Sequence, residues 1–489
     1  MEQLTIQFTY GAAQTGNQQS DAVVRFVSAQ ELQQPAGAGL PAQIAQALQL
    51  AAAGELFKGE TGQTEVYPTY GLMPASYILF AGLSGQGDAG QLRLAAAAAA
   101  KALKRIKART AKVELSRELA AQFDGRAAGQ ALAEGLTLAL HDWLPLKREE
   151  AFRHELASVQ LFLLPEADEE TVRAWTSGLQ RGGIFAQGVC YARDLTNMPG
   201  NELTPERLAS YAEDLARDYD FDIEVVDEWS AADQGMGGLL AVGRGSVNEP
   251  RMIVIHYEGA PDRSDVWGLV GKGVTFDTGG ISLKRGPGME EMISDMGGAA
   301  AVLGAMQIIG ELKPEINVIA VIPAAENMPS HRAYKPGDII RMMNGLTVEV
   351  TNTDAEGRIV LADGLTTAIR RGANRIVDVA TLTGAVVSTL GDHVSGTVAN
   401  DEKLQQAVIE AGQAAGERIW AFPAYPEYRK ELKSSAADLR NSGWRYAGAI
   451  MGGLFIGEFA EGLPWVHLDI AGTAFVEKGR GWEPKGLPA

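Results

Sequence analysis

From residue 182 onward, short apolar runs alternate with longer stretches in which apolar positions recur every three and four residues. Runs at 222–227, 252–257, 266–270, 317–322, 347–352, 375–382 and 465–470 predict strands, and 297–312 and 360–371 predict helices. Strands alternating with helices specify a mostly parallel sheet covered by helices. Ligands of such sheets bind beyond the carboxyl ends of the strands. The first part of the chain is patterned differently. Residues 4–10 and 22–27 alternate like strands, 91–109 is a long Ala/Leu/Lys/Arg segment that predicts a helix, and 130–141 predicts another. Six consecutive alanines at 95–100 suit a helix packed closely on a sheet, since alanine has the best helix propensity. The run SVQLFLLP at 158–165 reads as a short apolar strand, and 166–181 mixes charge and apolar residues at helical spacing. The expected fold is α/β. A smaller N-terminal α/β domain occupies 1–165, a connecting helix 166–181, and a larger domain with the mostly parallel sheet 182–489.

Composition narrows the chemistry. Hydrophobic residues make up 46% of the 489 and charged residues 21%, which fits an ordinary globular chain able to bury a large core. Cys190 is the only cysteine, which excludes an intrachain disulfide and any multi-cysteine metal site. None of the six histidines falls as HxH or HxxxH, which argues against a histidine-built metal site. His256 and His467 lie inside apolar strands and read as core histidines. The net charge of −18 disfavours nonspecific binding to nucleic acid or to an anionic membrane. The one basic patch of note, Lys101, Lys104, Arg105, Lys107 and Arg109, reads as a solvated helix end. No run of 18 apolar residues predicts a membrane span, and the first residues carry no secretory pattern, so a cytoplasmic protein is expected.

Unusual residues collect at three predicted strand ends. The first is VGKGVTFDTGGISLKR at 270–285, with Lys272, Asp277 and Lys284 in a glycine-rich loop. A phosphate-binding P-loop fails here, because Val266 stands where the first glycine is needed and Gly273 follows the lysine in place of Ser or Thr. The second, EEMISDMGG at 290–298, sets Asp295 at the start of an Ala/Gly-rich helix. The third, NTDAEGR at 352–358, follows a predicted strand and precedes a helix. Read as extended chain, Asp354 and Glu356 point the same way, being two residues apart. Four carboxylates, Asp277, Asp295, Asp354 and Glu356, would repel strongly if left bare. Two divalent cations would neutralise them, and an oxygen-rich site of this type suits Mn²⁺, Mg²⁺ or Zn²⁺.

These segments, KGVTFDTGGISLK and NTDAEGR above all, resemble the leucyl aminopeptidase (cytosol aminopeptidase) family of dinuclear metallopeptidases. The resemblance covers residues from about 182 to the end, and the N-terminal part is similar only in length and coarse pattern. It implies a metal-dependent aminopeptidase that removes an apolar, Leu- or Met-like first residue from peptides with a free N-terminus. Carried over residue by residue, it implies metal ligands at Lys272, Asp277, Asp295, Asp354 and Glu356, with Asp277 and Glu356 bridging both metals. It implies non-ligand catalytic roles for Lys284 and Arg358, the latter holding a bicarbonate that acts as general base. It implies first-residue pocket positions at Met292, Thr381 and Gly384, and a homohexamer. As a ligand, Lys272 must be a neutral amine, which costs about 4–5 kcal/mol at pH 7 and must be supplied by metal binding. No unpaired charge is apparent near the pocket positions, so an apolar wall is expected. A DNA-binding regulatory role, known for some members, has only the patch at 101–109 in its favour and the −18 charge against it. A two-metal phosphoesterase is disfavoured by the missing phosphate-binding loop.

Overall fold

A computed structural model describes residues 6–11, 20–33, 39–84, 87–143, 146, 156–164 and 167–486. The chain divides into two compact units, Met1–Cys190 with Lys478–Lys485, and Tyr191–Glu477 with Gly486–Ala489.

In the first unit six strands form one sheet: β1 (Gln7–Tyr10), β2 (Ala22–Val27), β3 (Thr64–Pro68), β4 (Tyr77–Gly82), β5 (Thr110–Ser116) and β6 (Ser158–Leu164). Their spatial order is β1-β6-β5-β2-β4-β3, parallel throughout except for the β3–β4 pair. Residues 4, 5, 165 and 166 of the predicted elements lie outside the described residues. The alanine run sits in the helix Ala89–Arg105, where Ala95, Ala96, Ala99 and Ala100 are fully buried. Their small side chains let this helix pack tightly beside Gly125–Leu138, and both cover the sheet core built on Val24, Leu79, Val113 and Leu161. The second of these helices begins five residues ahead of its apolar pattern because Asp124 caps it, accepting from Ala127 N. The basic patch is partly used internally: Lys101 Nζ donates to Gly481 O at 2.6 Å, and Lys104 pairs with Asp142. The expected connecting helix starts at Glu169 and runs on to Thr196.

The second unit contains β7 (Asp222–Val226), β8 (Arg251–Glu258), β9 (Val266–Gly271), β10 (Gly273–Asp277), β11 (Asn317–Asn327), β12 (Ile339–Arg341), β13 (Thr347–Glu349), β14 (Arg375–Ala380), β15 (Val394–Ala399), β16 (Arg418–Ala421), β17 (Leu439–Arg440) and β18 (Trp465–Asp469). The main sheet runs β16-β15-β18-β14-β9-β11-β8-β7, and β10 also pairs with β11. Its centre, β18-β14-β9-β11, is parallel, and antiparallel pairs flank it at β15–β18, β11–β8 and β8–β7. A small sheet, β12-β13-β17, stands apart from it.

Strand β11 outruns its predicted end at 322 because Pro323 does not break it. The β9 ladder ends at Val321↔Val270 and the β10 ladder starts at Ala324↔Gly273, so Pro323 falls at the break, where a missing N–H costs least. The same break ejects Lys272 from the ladder. The stretch Met289–Leu312, a 3₁₀ turn continuing into the helix Gly297–Leu312, is apolar enough for a membrane span by length and composition. It is instead a core element, packed on β9 and β14 and mostly buried. Helix Gly357–Arg370 is buried from Gly357 to Ala368 and shares one core with Val270, Val321 and Trp465. Thr204 caps the helix Pro205–Tyr219 with Pro205 in its first turn, as the local sequence predicts.

Candidate active site

The carboxyl ends of β9, β10 and β14 open onto a cavity of about 990 Å³, and all ten residues singled out by the motifs line it. Lys272 lies at the break between β9 and β10, its backbone fixed by Lys272 N–H to Val379 O at 3.0 Å and Ala299 N–H to Lys272 O at 2.9 Å. Its buried ammonium reaches Asp295 Oδ1 at 2.7 Å, Glu356 Oε1 at 3.0 Å and Thr381 O at 3.0 Å. Gly357 makes room for that reach. A Cβ there would come within 2.6 Å of Lys272 Cε and 2.7 Å of Nζ.

Asp277 ends β10. Its Oδ1 accepts from Gly279 N and from Asn327 Nδ2, both at 2.8 Å, and its Oδ2 pairs with Lys284 Nζ at 2.7 Å. Lys284 also pairs with Asp354. The loop that returns Lys284 to Asp277 turns at Gly279, where φ is +84°, and closes through Lys284 N–H to Thr278 O at 2.9 Å. Asp295 sits in the 3₁₀ turn, one turn after Met292, and Thr381 Oγ1 donates to its Oδ1 at 2.8 Å.

Asp354 and Glu356 converge by a route other than the extended chain expected. Strand β13 stops at Glu349, and the backbone at Glu356 is already helical, with φ −77° and ψ −38°. The chain turns through 351–355 into the helix Gly357–Arg370, and this turn brings the two side chains together. Oxygens of Asp277, Asp354 and Glu356 lie within 4.8 Å of one another. Arg358, in the first turn of that helix, is buried, with Nη1 donating to Asn441 O at 3.0 Å. Asp295 Oδ2, Glu356 Oε2 and Arg358 Nε are buried and have no hydrogen-bond partner among the described residues.

The charges are under tension. Burial raises Asp277 to about 6, the Glu356 charge adds to this, and Lys284 and Lys272 offset only part of it. Burial likewise lifts Asp295 and Asp354 above the usual carboxylate range. Burial alone would lower Lys272 and Lys284, but the surrounding carboxylates hold both ammoniums above their ordinary value. Burial pushes the Arg358 guanidinium down.

Thr381 follows the end of β14, and Gly384 opens the helix Gly384–Leu390, its capping residue being Thr383. With half-buried Met292 they line the cavity, joined by Val387, Ala474 and Phe475, which the motifs did not point to. Apolar residues beyond β18 carry no chemical signature, and only their place at a strand end marks them. The wall is also less apolar than expected: Glu291, Asp392 and Glu477 line the same cavity. Sequence reasoning also missed the buried supports. Asn327 Nδ2 and Tyr334 Oη both donate to Thr353 O, at 3.0 and 2.9 Å, behind the turn that carries Asp354. A polar residue closing the apolar run of β11 was the one available signal.

Buried carboxylates aimed into an open cavity, with oxygens left unpartnered, suit the holding of cations beside a substrate. Fold and site together define a metal-dependent hydrolase. The chain belongs to the cytosol aminopeptidase family: residues 190–488 match the family's catalytic domain and 23–150 its N-terminal domain. It is an α/β peptidase. A probable cytosol aminopeptidase of Alkaliphilus oremlandii is 45% identical over 438 residues, 88% of this chain and 86% of that protein. One from Bacillus subtilis is 50% identical over 360 residues, 73% and 71% of the two chains. Among solved structures, the bottromycin maturation enzyme BotP in complex with Mn superposes with a TM-score of 0.81 at 35% identity over 96% of each chain. A tomato leucine aminopeptidase mutant superposes with a TM-score of 0.87 at 32% identity, over 98% of this chain and 94% of that one.

Proposed function

We propose that the chain is a two-metal aminopeptidase that removes an apolar first residue, leucine or methionine best, from peptides with a free N-terminus. The observation that carries this reading is the meeting of Asp277, Asp354 and Glu356 oxygens within 4.8 Å, with Lys272 between Asp295 and Glu356. The donor set fits the group: carboxylate oxygens and one amine, with Asp295 Oδ2 and Glu356 Oε2 unpartnered. Lys272, Asp277, Asp295, Asp354 and Glu356 would hold two divalent cations, Mn²⁺ or Zn²⁺, with Mg²⁺ a third candidate. Mn in the BotP structure supports the first choice. Bound cations supply Lewis acidity for attack of water on a peptide carbonyl.

The chain's own residues do the rest. To serve as a ligand, Lys272 would have to be the neutral amine. Lys284, on the cavity side of Asp277, donates to the oxygen that gains charge in the tetrahedral transition state. Arg358, whose Nε is unpartnered, would hold a planar anion, which the family resemblance makes a bicarbonate acting as general base. Met292, Thr381 and Gly384 receive the first side chain. The resemblance also supports a homohexamer, and the names of the relatives a cytoplasmic location. We assign no nucleic-acid partner, since Lys101 and Lys104 are engaged within the N-terminal unit. The test is hydrolysis of leucyl anilide after exhaustive chelation and again after addition of Mn²⁺ or Zn²⁺. Loss and recovery are expected, and full activity at confirmed zero metal content would refute the reading.

A further inference from the structure

We infer that Asn441 is a positioning residue for the metal-holding turn, an inference that rests on the two-metal reading above. The segment 351–355 carries Asp354 and delivers Glu356, yet it belongs to no strand or helix. A turn without ladder bonds must have its backbone groups satisfied from elsewhere if it is to hold two carboxylates still. Asn441, the residue after β17, does this from a point 89 residues away in sequence. It is completely buried. Its Oδ1 accepts from Thr351 N at 2.8 Å and Thr351 Oγ1 at 3.2 Å, with Asn352 N further off at 3.4 Å. Its Nδ2 donates to Asn352 O at 2.6 Å and Ala355 O at 3.3 Å. One amide thus serves both a donor and an acceptor face of the turn. No aliphatic side chain does either, and a carboxylate would set charge against two carbonyl oxygens.

The backbone of Asn441 completes the link. Its N–H donates to Glu349 O at 3.0 Å, tying it to the end of β13, and its carbonyl accepts from Arg358 Nη1 at 3.0 Å. Side chain and main chain of one residue therefore fix Asp354, Glu356 and Arg358 in a common frame. Asn441 does not line the cavity. Its action is through the turn, so truncating the side chain should loosen the metal-holding geometry and leave the first-residue pocket alone.

Two variants of the full chain test this, Asn441→Ala and Asn441→Ser, the latter leaving a polar group in the space. Folding is checked by circular dichroism, Mn²⁺ binding by calorimetric titration, and kcat and KM on leucyl anilide. Loss of a support behind metal ligands typically weakens metal affinity or activity by roughly 10–100-fold. We expect the folded variants to bind Mn²⁺ about 10-fold or more weakly and to lose kcat at saturating metal, with KM close to the parent's. Folded variants with the parent's Mn²⁺ affinity and kcat would overturn the proposal. So would failure of both to fold, since Asn441 would then serve the fold in general. A parent that binds Mn²⁺ but does not cleave the anilide would refute the aminopeptidase reading, while the calorimetric comparison would still decide the role of Asn441.

Discussion

Lys284 Nζ lies 2.7 Å from Asp277 Oδ2, and Lys284 reaches Asp354 as well, so one ammonium spans two of the carboxylates assigned to the metals. A lysine so placed is either a substitute for a cation or a partner that moves aside to meet the substrate. The second role predicts that Lys284→Ala lowers kcat by roughly 10²–10³-fold, the loss typical of an oxyanion donor, with metal content unchanged. Metal analysis of the folded variant beside its kinetics decides the matter. Loss of metal in step with activity would make Lys284 a support for the ligands instead.

Asp277 and Glu356 should behave in the opposite way. Each is buried, and Asp277, Asp354 and Glu356 meet at one point. Asp277→Ala and Glu356→Ala should bind fewer metal ions per chain than the parent and be inactive even in excess Mn²⁺. Arg358→Ala should keep its metals and lose any stimulation by bicarbonate. An Arg358 variant that still responds to bicarbonate removes the anion from that residue.

The first-residue pocket yields a graded prediction. Met292, a flexible thioether, and Gly384, with no side chain, line one cavity, and the proposed pocket role makes them an adaptable apolar wall. Leucyl and methionyl anilides should be the best substrates by kcat/KM. Aspartyl anilide should be poor for two reasons: burial of an unpaired carboxylate costs several kcal/mol, and Glu291, Asp392 and Glu477 repel it. The same carboxylates should make lysyl anilide a better substrate than an apolar wall alone would allow. Met292→Ala should cut the preference for leucyl over alanyl anilide by roughly 10-fold, the scale of a few methylenes in a pocket. A flat profile across leucyl, methionyl, alanyl, lysyl and aspartyl anilides would sink the assignment.

The parts of this architecture that show in sequence do so through periodicity and glycine. Helix Gly297–Leu312 emerges with its predicted limits because its apolar run is long and ends where Lys313 takes a left-handed backbone. The glycine-rich loop at 271–280 and the NTDAEGR turn stand out because a left-handed backbone at Gly279 and the Lys272 side chain against Gly357 demand glycine there. What stays hidden is the geometry of contact at long separation. Asn327 and Asn441 look like ordinary loop or strand-end residues until folding brings both into hydrogen bonds with 351–355. The backbone route by which Asp354 and Glu356 converge is hidden for the same reason, since a turn held by distant side chains has no period of its own. The carboxylates of Glu291, Asp392 and Glu477 share a cavity only through tertiary structure.

The two histidines expected in the core end in different surroundings, and His467 carries the last prediction. It is completely buried in β18, with Nδ1 2.6 Å from Asp378 Oδ1, while Trp465 Nε1 donates to Asp378 Oδ2 at 2.7 Å. Half-buried His256 has its pKa lowered, by burial first and then by Arg371. His467 goes the other way. Burial alone would lower it, but the Asp378 carboxylate overrides this, Asp469 adds to it, and Arg358 opposes it, leaving the imidazole above its ordinary value. A group whose folded pKa is raised favours the folded state in its protonated form. Its contribution is complete below about pH 6.5 and disappears as pH rises through the folded value. Melting temperature should therefore fall from about pH 6.5 upward with a component due to His467, and His467→Gln should flatten that slope. Asp378→Ala should be the harsher change, about 3–5 kcal/mol, because it strands a buried imidazole and an indole N–H together. Thermal melts of the three proteins from about pH 6 to about pH 9 separate these effects. A His467→Gln profile parallel to the parent's would show that His467 does not contribute to the slope in this range.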